Sequence, residues 1–243
     1  MTKRIILQGI GLALIIVVLI TYVYLKPPAT ASAPIQTVPI EGKATGTALS
    51  DDVDTVEAAA TTEAAEPLLF EIEQTGSEVR YMIDEVLAGF PNTVVGVTDQ
   101  VAGQIAIDPL DPGTAKVGTI MINARTFATD DSARDRAVQN QILQTNQHEY
   151  ITFVPTALAG LPESAVVGEP YSFRIVGDLT IREIRREVTW DVTVLAVTED
   201  HLEGIATTTI HYADWGMSIP EVPFVADASD EVRLELDFSA RAS

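Results

Sequence analysis

The sequence predicts an all-β domain that follows an N-terminal transmembrane helix and a disordered linker. Three observations support this fold class: many runs in which apolar residues alternate with polar ones, a single pattern typical of a helix among them, and one long apolar segment near the N-terminus. Alternation with a period of two is typical of strands that bury one face. Because strand and helix patterns do not alternate along the chain, a doubly wound sheet is disfavoured.

Residues 1–26 have the pattern of a membrane anchor. Residues 5–25 are almost entirely apolar, and a helix of that length spans about 30 Å, the thickness of the bilayer hydrocarbon. Lys3 and Arg4 precede this segment, which favours a cytoplasmic N-terminus and a folded domain on the periplasmic side or at the cell surface. An N-terminal signal peptide, with a cleavage site at Ala31-Ser32-Ala33, is the alternative. The length of the apolar segment favours a retained anchor.

Residues 27–66 have the composition of a disordered linker. They consist mainly of Pro, Ala, Thr, Ser and acidic residues, with seven acids against the single base Lys43. Such a segment cannot bury enough apolar surface to fold, and some forty flexible residues reach about 35 Å. We therefore predict a disordered tether before a folded domain of residues 67–241.

The domain contains roughly eight strand patterns and one short helix pattern. The clearest strand is the last, in which Val232, Leu234, Leu236 and Phe238 alternate with charged residues. The helix is predicted to begin at an Asp or Ser cap within residues 130–132 and to end near Leu143. Eight antiparallel strands can close into a barrel or pack as a sandwich, and the periodicity of the sequence leaves both open.

Charge and composition exclude several classes of function. The formal net charge of −20 argues against nucleic acid as a partner and predicts repulsion from an anionic membrane surface. The chain has no cysteine, so disulfides, thiolate metal sites and cysteine nucleophiles are excluded. His148, His201 and His211 show no metal-ligand spacing, and no nucleophile or phosphate-binding motif occurs. No metal, cofactor or catalytic residue is predicted, and the chain is not expected to be an enzyme.

Four segments, in this order along the chain, resemble the YceI-like, polyisoprenoid-binding family of bacterial exported proteins. They are Val101-Ala102-Gly103-Gln104-Ile105; Thr126-Phe127-Ala128-Thr129 followed by Arg134-Asp135; Gly177-Asp178-Leu179-Thr180-Ile181 through Val188-Thr189; and Asp214-Trp215-Gly216-Met217 with Asp230-Glu231-Val232. Together they cover nearly the whole domain. The chain departs from the family at Glu183, where glycine is usual, and at Glu187, where proline is frequent.

The resemblance implies an eight-stranded antiparallel lipocalin-like barrel that holds an isoprenoid lipid, such as a polyprenol or a quinone tail. The expected partners are this lipid and, through the N-terminal helix, a membrane; a homodimer is left open. A structural or protein-interaction module with a filled core, presented on a stalk, is the alternative. Strand parity predicts the residues whose side chains line the interior: Tyr81, Ile83, Phe153, Phe173, Ile175, Leu179, Trp190, Val192, Ile210, Tyr212 and Trp215.

Overall fold

The computed structural model describes residues 27–32, 34–40, 67–220 and 225–243. Within these ranges the chain is all-β with one short α-helix, as predicted. The twelve described strands are β1 (Leu68–Leu87), β2 (Phe90–Thr98), β3 (Val101–Ala102), β4 (Gln104–Asp108), β5 (Asp111–Val117), β6 (Ile120–Asn123), β7 (Tyr150–Ala159), β8 (Pro170–Ile181), β9 (Ile184–Thr198), β10 (His201–His211), β11 (Val225–Ala226) and β12 (Glu231–Ala242). Helix α1 covers Ser132–Ala137, a π turn follows at Val138–Ile142, and 3-10 turns cover Ala124–Thr126 and Tyr212–Trp215.

The strands form one curled antiparallel sheet. Its hydrogen-bonded order is β3-β6-β7-β8-β9-β10-β12-β1-β4-β5, and β2 and β11 also pair with β1. Strands β3 and β4 are separated in the chain only by Gly103. Because β3 pairs with β6 and β4 pairs with β1, the sheet curls back on itself around an interior space.

The curled sheet has two ends, which we call the mouth end and the closed end. Three connections lie at the mouth end: the β4–β5 turn at Pro109–Leu110, residues 160–169 between β7 and β8, and the β9–β10 turn at Glu199–Asp200. The β8–β9 turn at Arg182–Glu183 and residues 124–149 between β6 and β7 lie at the closed end. The antiparallel registers place these two sets of connections at opposite ends of the same strands.

The closed end is filled by large side chains. Trp215 is only 2% exposed, and its indole Nε1 donates a hydrogen bond to the carbonyl oxygen of Leu179 at 3.2 Å. The ring of Phe127 meets the ring of Tyr81 edge-on, with centroids 5.3 Å apart. Gly96 lies against the Tyr81 ring, and a Cβ atom at that position would overlap it. These contacts make the closed end a packed core.

Helix α1 begins as the sequence predicts and ends earlier. Asp131 caps it, because its carboxylate accepts hydrogen bonds from the backbone nitrogens of Ala133 and Arg134 at 2.7 and 2.8 Å. The pKa of Asp131 lies below its usual range because these amides stabilise the charged form. The α-helical geometry stops at Ala137, and the π turn continues the segment toward Leu143.

The three arginines at the β8–β9 turn bind to the closed end. Arg182 donates from Nη1 to the carbonyl oxygen of Gly216 at 3.2 Å, and Arg186 donates from Nε to that of Asp214 at 3.2 Å. Arg185 lies 3.7 Å from a carboxylate oxygen of Asp178. The turn has only two residues, since Ile181 pairs with Ile184, so it remains short despite the departure at Glu183.

The first part of the predicted linker contacts the domain. We call residues 27–32 and 34–40 the N-terminal strap. Ile35 in the strap is 7% exposed, and the backbone nitrogen of Ile40 donates to Oε1 of Gln104 at 3.0 Å. Arg125 donates from Nη1 to the carbonyl oxygen of Thr30 at 3.2 Å. Here the structure differs from the free tether that the composition predicts, because non-local hydrogen bonds hold this segment.

Glu149 is the centre of the strap contacts. Its carboxylate accepts hydrogen bonds from the backbone nitrogen and the hydroxyl of Ser32, at 2.7 and 2.6 Å, and from Arg125 at 2.7 Å. Burial by itself raises the pKa of Glu149, but the hydrogen bonds from Ser32 and Asn123 and the charge of Arg125 outweigh this effect. The pKa of Glu149 therefore lies below its usual value, and the carboxylate is charged at neutral pH.

The predicted membrane anchor, residues 1–26, and the linker residues 41–66 lie outside the described residues. Within the ranges that are described, no helix combines the length and the apolar character that a membrane span requires.

Candidate binding cavity

The mouth half of the curled sheet encloses a cavity of about 540 Å³. Its walls come from β1, β4, β5, β6, β7, β8, β9, β10 and β12, and residues 160–169 contribute to its rim. Voids in packed protein interiors rarely exceed the size of a water molecule, whereas small-molecule sites measure roughly 300–1,000 Å³. The cavity therefore has the size of a ligand site, and the core of the mouth half is not filled.

Almost every side chain that lines the cavity is apolar. Phe153 and Trp190 meet edge-on at its inner end, with ring centroids 5.9 Å apart. The polar lining residues lie at the mouth end: Thr198, Glu199 and Tyr171. The Tyr171 hydroxyl is already engaged, since it accepts from the backbone nitrogen of Val166 at 2.8 Å and donates to Glu169 at 3.3 Å. The interior therefore offers an apolar ligand burial and dispersion contacts.

The structure brings six of the eleven predicted lining residues together around the cavity. They lie on three neighbouring strands, β7, β8 and β9, and are Phe153, Phe173, Ile175, Leu179, Trp190 and Val192. Their contact with a ligand remains a prediction.

The other five predicted residues do not line the cavity: Tyr81, Ile83, Ile210, Tyr212 and Trp215. Their side chains pack in or against the core at the closed end. Burial raises the pKa of Tyr81, and the nearby charge of Asp135 adds to this effect, so its hydroxyl stays protonated. Strand parity shows which face a side chain takes, but it does not show at which end of the barrel axis the side chain lies.

The sequence analysis missed the opposite wall of the cavity and its rim. That wall comes from strands β1, β4, β5, β6, β10 and β12: Leu68, Phe70, Ile72, Val79, Ile105, Ile107, Pro112, Ala115, Val117, Ile120, Ile122, Leu202, Ala206, Leu236 and Phe238. The alternation of Leu236 and Phe238 in the last strand was a usable signal for part of this set. The rim residues Leu161, Pro162, Ala165, Val166 and Val167 belong to a loop, where no periodicity marks them.

His211, which directly precedes the predicted lining residue Tyr212, lies outside the cavity. The side chain of His211 is half exposed and lies 3.7 Å from Asp230 and 4.0 Å from Glu231. Tyr212 is the more buried of the two neighbours and packs against the core. Among the described residues that line the cavity, the only carboxylate is that of Glu199, at the mouth end.

Two solved structures resemble this chain in fold. A polyisoprenoid binding domain from Saccharophagus degradans, implicated in plant cell wall breakdown, has 12% sequence identity and a TM-score of 0.56 over 72% of this chain and 99% of its own. BcnA from Burkholderia cenocepacia has 19% identity and a TM-score of 0.53 over 69% of this chain and 98% of its own. The search of curated proteins found no match.

The family comparison covers the same residues that form the curled sheet. The model of the YceI-like domain matches residues 70–240, which run from the start of β1 to the end of β12. This range includes all the described cavity-lining residues except Leu68, and all four segments that carry the resemblance in the sequence. The chain therefore belongs to the family of proteins with a YceI-like domain.

Proposed function

We propose that this chain binds an isoprenoid lipid in its cavity and sequesters or carries it. The observation that carries the proposal is the cavity of about 540 Å³ with apolar walls. Membership of a polyisoprenoid-binding family supports lipid binding in general. An isoprenoid chain is apolar and branched at regular intervals, and it suits walls of aliphatic and aromatic side chains.

Burial supplies the binding energy in this proposal. Transfer of a chain from water to an apolar interior contributes about 0.8 kcal/mol per methylene. At about 30 Å³ for a water-sized group, the cavity has room for roughly 18 such groups, so a longer isoprenoid extends through the mouth. Apart from the buried indole nitrogen of Trp190, the polar side-chain groups of the described lining residues lie at the mouth, so the inner walls suit a polyprenol and a quinone tail alike.

The proposed container is the predicted eight-stranded lipocalin-like barrel. When β3 and β4 are counted as one strand and β5 and β6 as another, the antiparallel path returns to its start after eight strands, with β2 and β11 as additions to β1. Barrels of eight strands have interiors of the size that holds one small ligand. We propose a binding role without catalysis, since Glu199 is the only carboxylate among the described residues that line the cavity, and one carboxylate provides no acid–base pair.

The proposed location is outside the cytoplasm, with the domain held at a membrane by residues 1–26. The apolar segment and the basic residues before it support this location. A domain held at a membrane remains near the phase in which isoprenoid lipids dissolve. Protease protection of the full chain in sealed spheroplasts tests the topology, because an external domain is digested and a cytoplasmic one is protected.

The decisive experiment is organic extraction of the purified full chain followed by mass spectrometry. We expect a co-purifying isoprenoid. A matched pair of variants uses neighbouring residues of β10: Ala206 lines the cavity, whereas Ile205 lies on the outer surface with 38% exposure. Ala206→Phe places an aromatic ring inside the cavity and should displace the lipid, and Ile205→Phe should retain it. The proposal fails if folded wild-type protein extracts without lipid and takes up none from isoprenoid-loaded vesicles.

A further inference from the structure

Three segments form the rim of the cavity and expose apolar side chains. We define the mouth rim as residues 108–113, 160–169 and 198–200. Leu110 is 81% exposed, Val166 is 54% exposed and Val167 is 49% exposed. Val166 and Val167 also line the cavity, so the exposed apolar surface continues into the interior wall. Exposed apolar patches of this kind mark contact surfaces.

The same rim carries only acidic charge. Its three segments hold six carboxylates and no lysine or arginine: Asp108, Asp111, Glu163, Glu169, Glu199 and Asp200. Asp111, Glu163 and Glu199 are exposed. The closed end differs, since Arg182, Arg185 and Arg186 lie there. The three rim segments therefore combine exposed apolar side chains with acidic ones, and the neighbouring Arg241, whose charge acts on Asp200, is paired with Glu73.

We propose that the mouth rim docks on a partner protein whose contact surface is apolar at its centre and lined with lysine or arginine around it. The role of this contact in handing over a lipid rests on the proposed function. Contact between the two apolar surfaces lets the chain of an isoprenoid pass from one interior to the other without crossing water. The surrounding opposite charges speed association and orient the two proteins.

Charge separates this partner from the other surfaces that an apolar rim could meet. A second copy of the chain would place six carboxylates against six, which is repulsive. An anionic bilayer repels the rim in the same way. A zwitterionic bilayer accepts the apolar tips but offers the carboxylates no net attraction. A basic, partly apolar protein surface matches both features of the rim.

The test uses two designed amphipathic helical peptides with identical apolar faces, one with lysines on its polar face and one with glutamates. The full chain is held in phosphatidylcholine nanodiscs, and empty nanodiscs correct for binding of the peptides to lipid. We expect the lysine peptide to bind with an affinity that falls as salt rises, and the glutamate peptide not to bind. Anisotropy of the labelled peptide measures the affinity.

Two triple variants with the same net charge locate the contact. Asp111→Asn, Glu163→Gln and Glu199→Gln together neutralise three rim carboxylates, and their combination should weaken binding of the lysine peptide by about tenfold. Glu183→Gln, Glu187→Gln and Asp214→Asn together neutralise three exposed carboxylates near the closed end and should leave the affinity unchanged. Leu110→Ser should also weaken the binding, whereas Val154→Ser, at an exposed valine of β7, should not.

Three outcomes overturn the docking surface. The two triple variants could weaken binding equally, which would show diffuse attraction to an acidic protein. Phosphatidylcholine vesicles could bind through Leu110 while the lysine peptide does not bind, which would assign the rim to a membrane. The lysine peptide could also fail to bind to a chain that extracts with isoprenoid, which would leave the proposed function intact. Rim-dependent peptide binding by a chain without isoprenoid would support the docking surface and contradict the proposed function.

Discussion

Strands β7, β8 and β9 run through both halves of the sheet, and their inward side chains meet different surroundings in each half. Toward the mouth, Phe173, Ile175 and Val192 face the cavity. Toward the closed end, Ile181 of β8 is 4% exposed and packs in the core. The alternation of apolar residues is the same in both halves, so it does not account for the difference.

The connections between the strands account for the difference between the mouth half and the closed end. At the closed end, long connections supply the large side chains that fill the interior, including Phe127, Leu143, Trp215 and Met217. At the mouth, the connections are acidic and rich in proline and glycine, and the side chains they contribute border the cavity without filling it. In this barrel the connections decide whether a wall of alternating strands surrounds a core or a container.

The largest expected effect is a difference between two phenylalanines. Phe127→Ala at the closed end should lower the free energy of unfolding by about 3 to 5 kcal/mol, because it opens a cavity in a packed core. Phe173→Ala should cost only about 1 to 2 kcal/mol, because its side chain borders an existing void and the change creates little new cavity. Urea denaturation of both variants measures the difference. Equal losses would contradict the contrast between the halves.

Substitutions of a small residue by a large one should also lower the stability more at the closed end than in the mouth half. Ala124→Leu at the closed end adds volume where Ala124 is 1% exposed, and we expect a loss of about 1 to 3 kcal/mol from overpacking. Ala206→Leu points into the cavity and should change the stability by less than about 1 kcal/mol. Unfolding midpoints of the two variants measure this. A stable Ala124→Leu variant would show that the closed end also contains unused space.

The next prediction concerns the contact between the N-terminal strap and the closed end. Glu149→Gln removes the charge that Ser32 and Arg125 bind, and should weaken the strap contact by about 1 to 2 kcal/mol. Because the pKa of Glu149 is lowered in the folded state, its stabilisation is fully present above the usual value of 4.5 and is lost as the pH falls through the lowered pKa.

Hydrogen exchange of the backbone amides in residues 27–40, measured at neutral pH and at a pH well below the lowered pKa of Glu149, tests this prediction. We expect wild-type protection at neutral pH, loss of protection in acid, and loss at both pH values in Glu149→Gln. Glu187→Gln, at an exposed carboxylate of β9, is the control. Protection that does not respond to pH in the wild type would assign the strap contact to groups other than Glu149.

The smallest effect is expected at the rim. Leu110→Ser should change the free energy of unfolding by less than about 0.5 kcal/mol, since Leu110 is 81% exposed and contributes little to packing. Thermal unfolding measures this, with Val154→Ser as a comparison on the outer wall. A large loss of stability would mean that the rim is a structural part of the barrel and not a contact surface.

The N-terminal strap is a segment for which the composition predicts disorder and the structure shows contacts with the domain. Its residues lack periodic apolar positions, and composition alone predicts disorder. The structure nevertheless buries Ile35 and gives Ile40 a hydrogen bond to Gln104. These contacts join positions that are distant along the chain, so no local pattern in residues 27–40 could have predicted them.

The sequence by itself determined the all-β class, the capped helix, the family and the apolar face of the strands with clear alternation, because these depend on local alternation, local capping and short motifs. It placed Phe173 and Trp215 on the same kind of inward face. Only the tertiary structure decided that Phe173 borders a cavity and Trp215 belongs to a packed core. The physical reason is that parity describes one direction, across the sheet, whereas the position of a void along the barrel axis depends on which distant connections fold over each end.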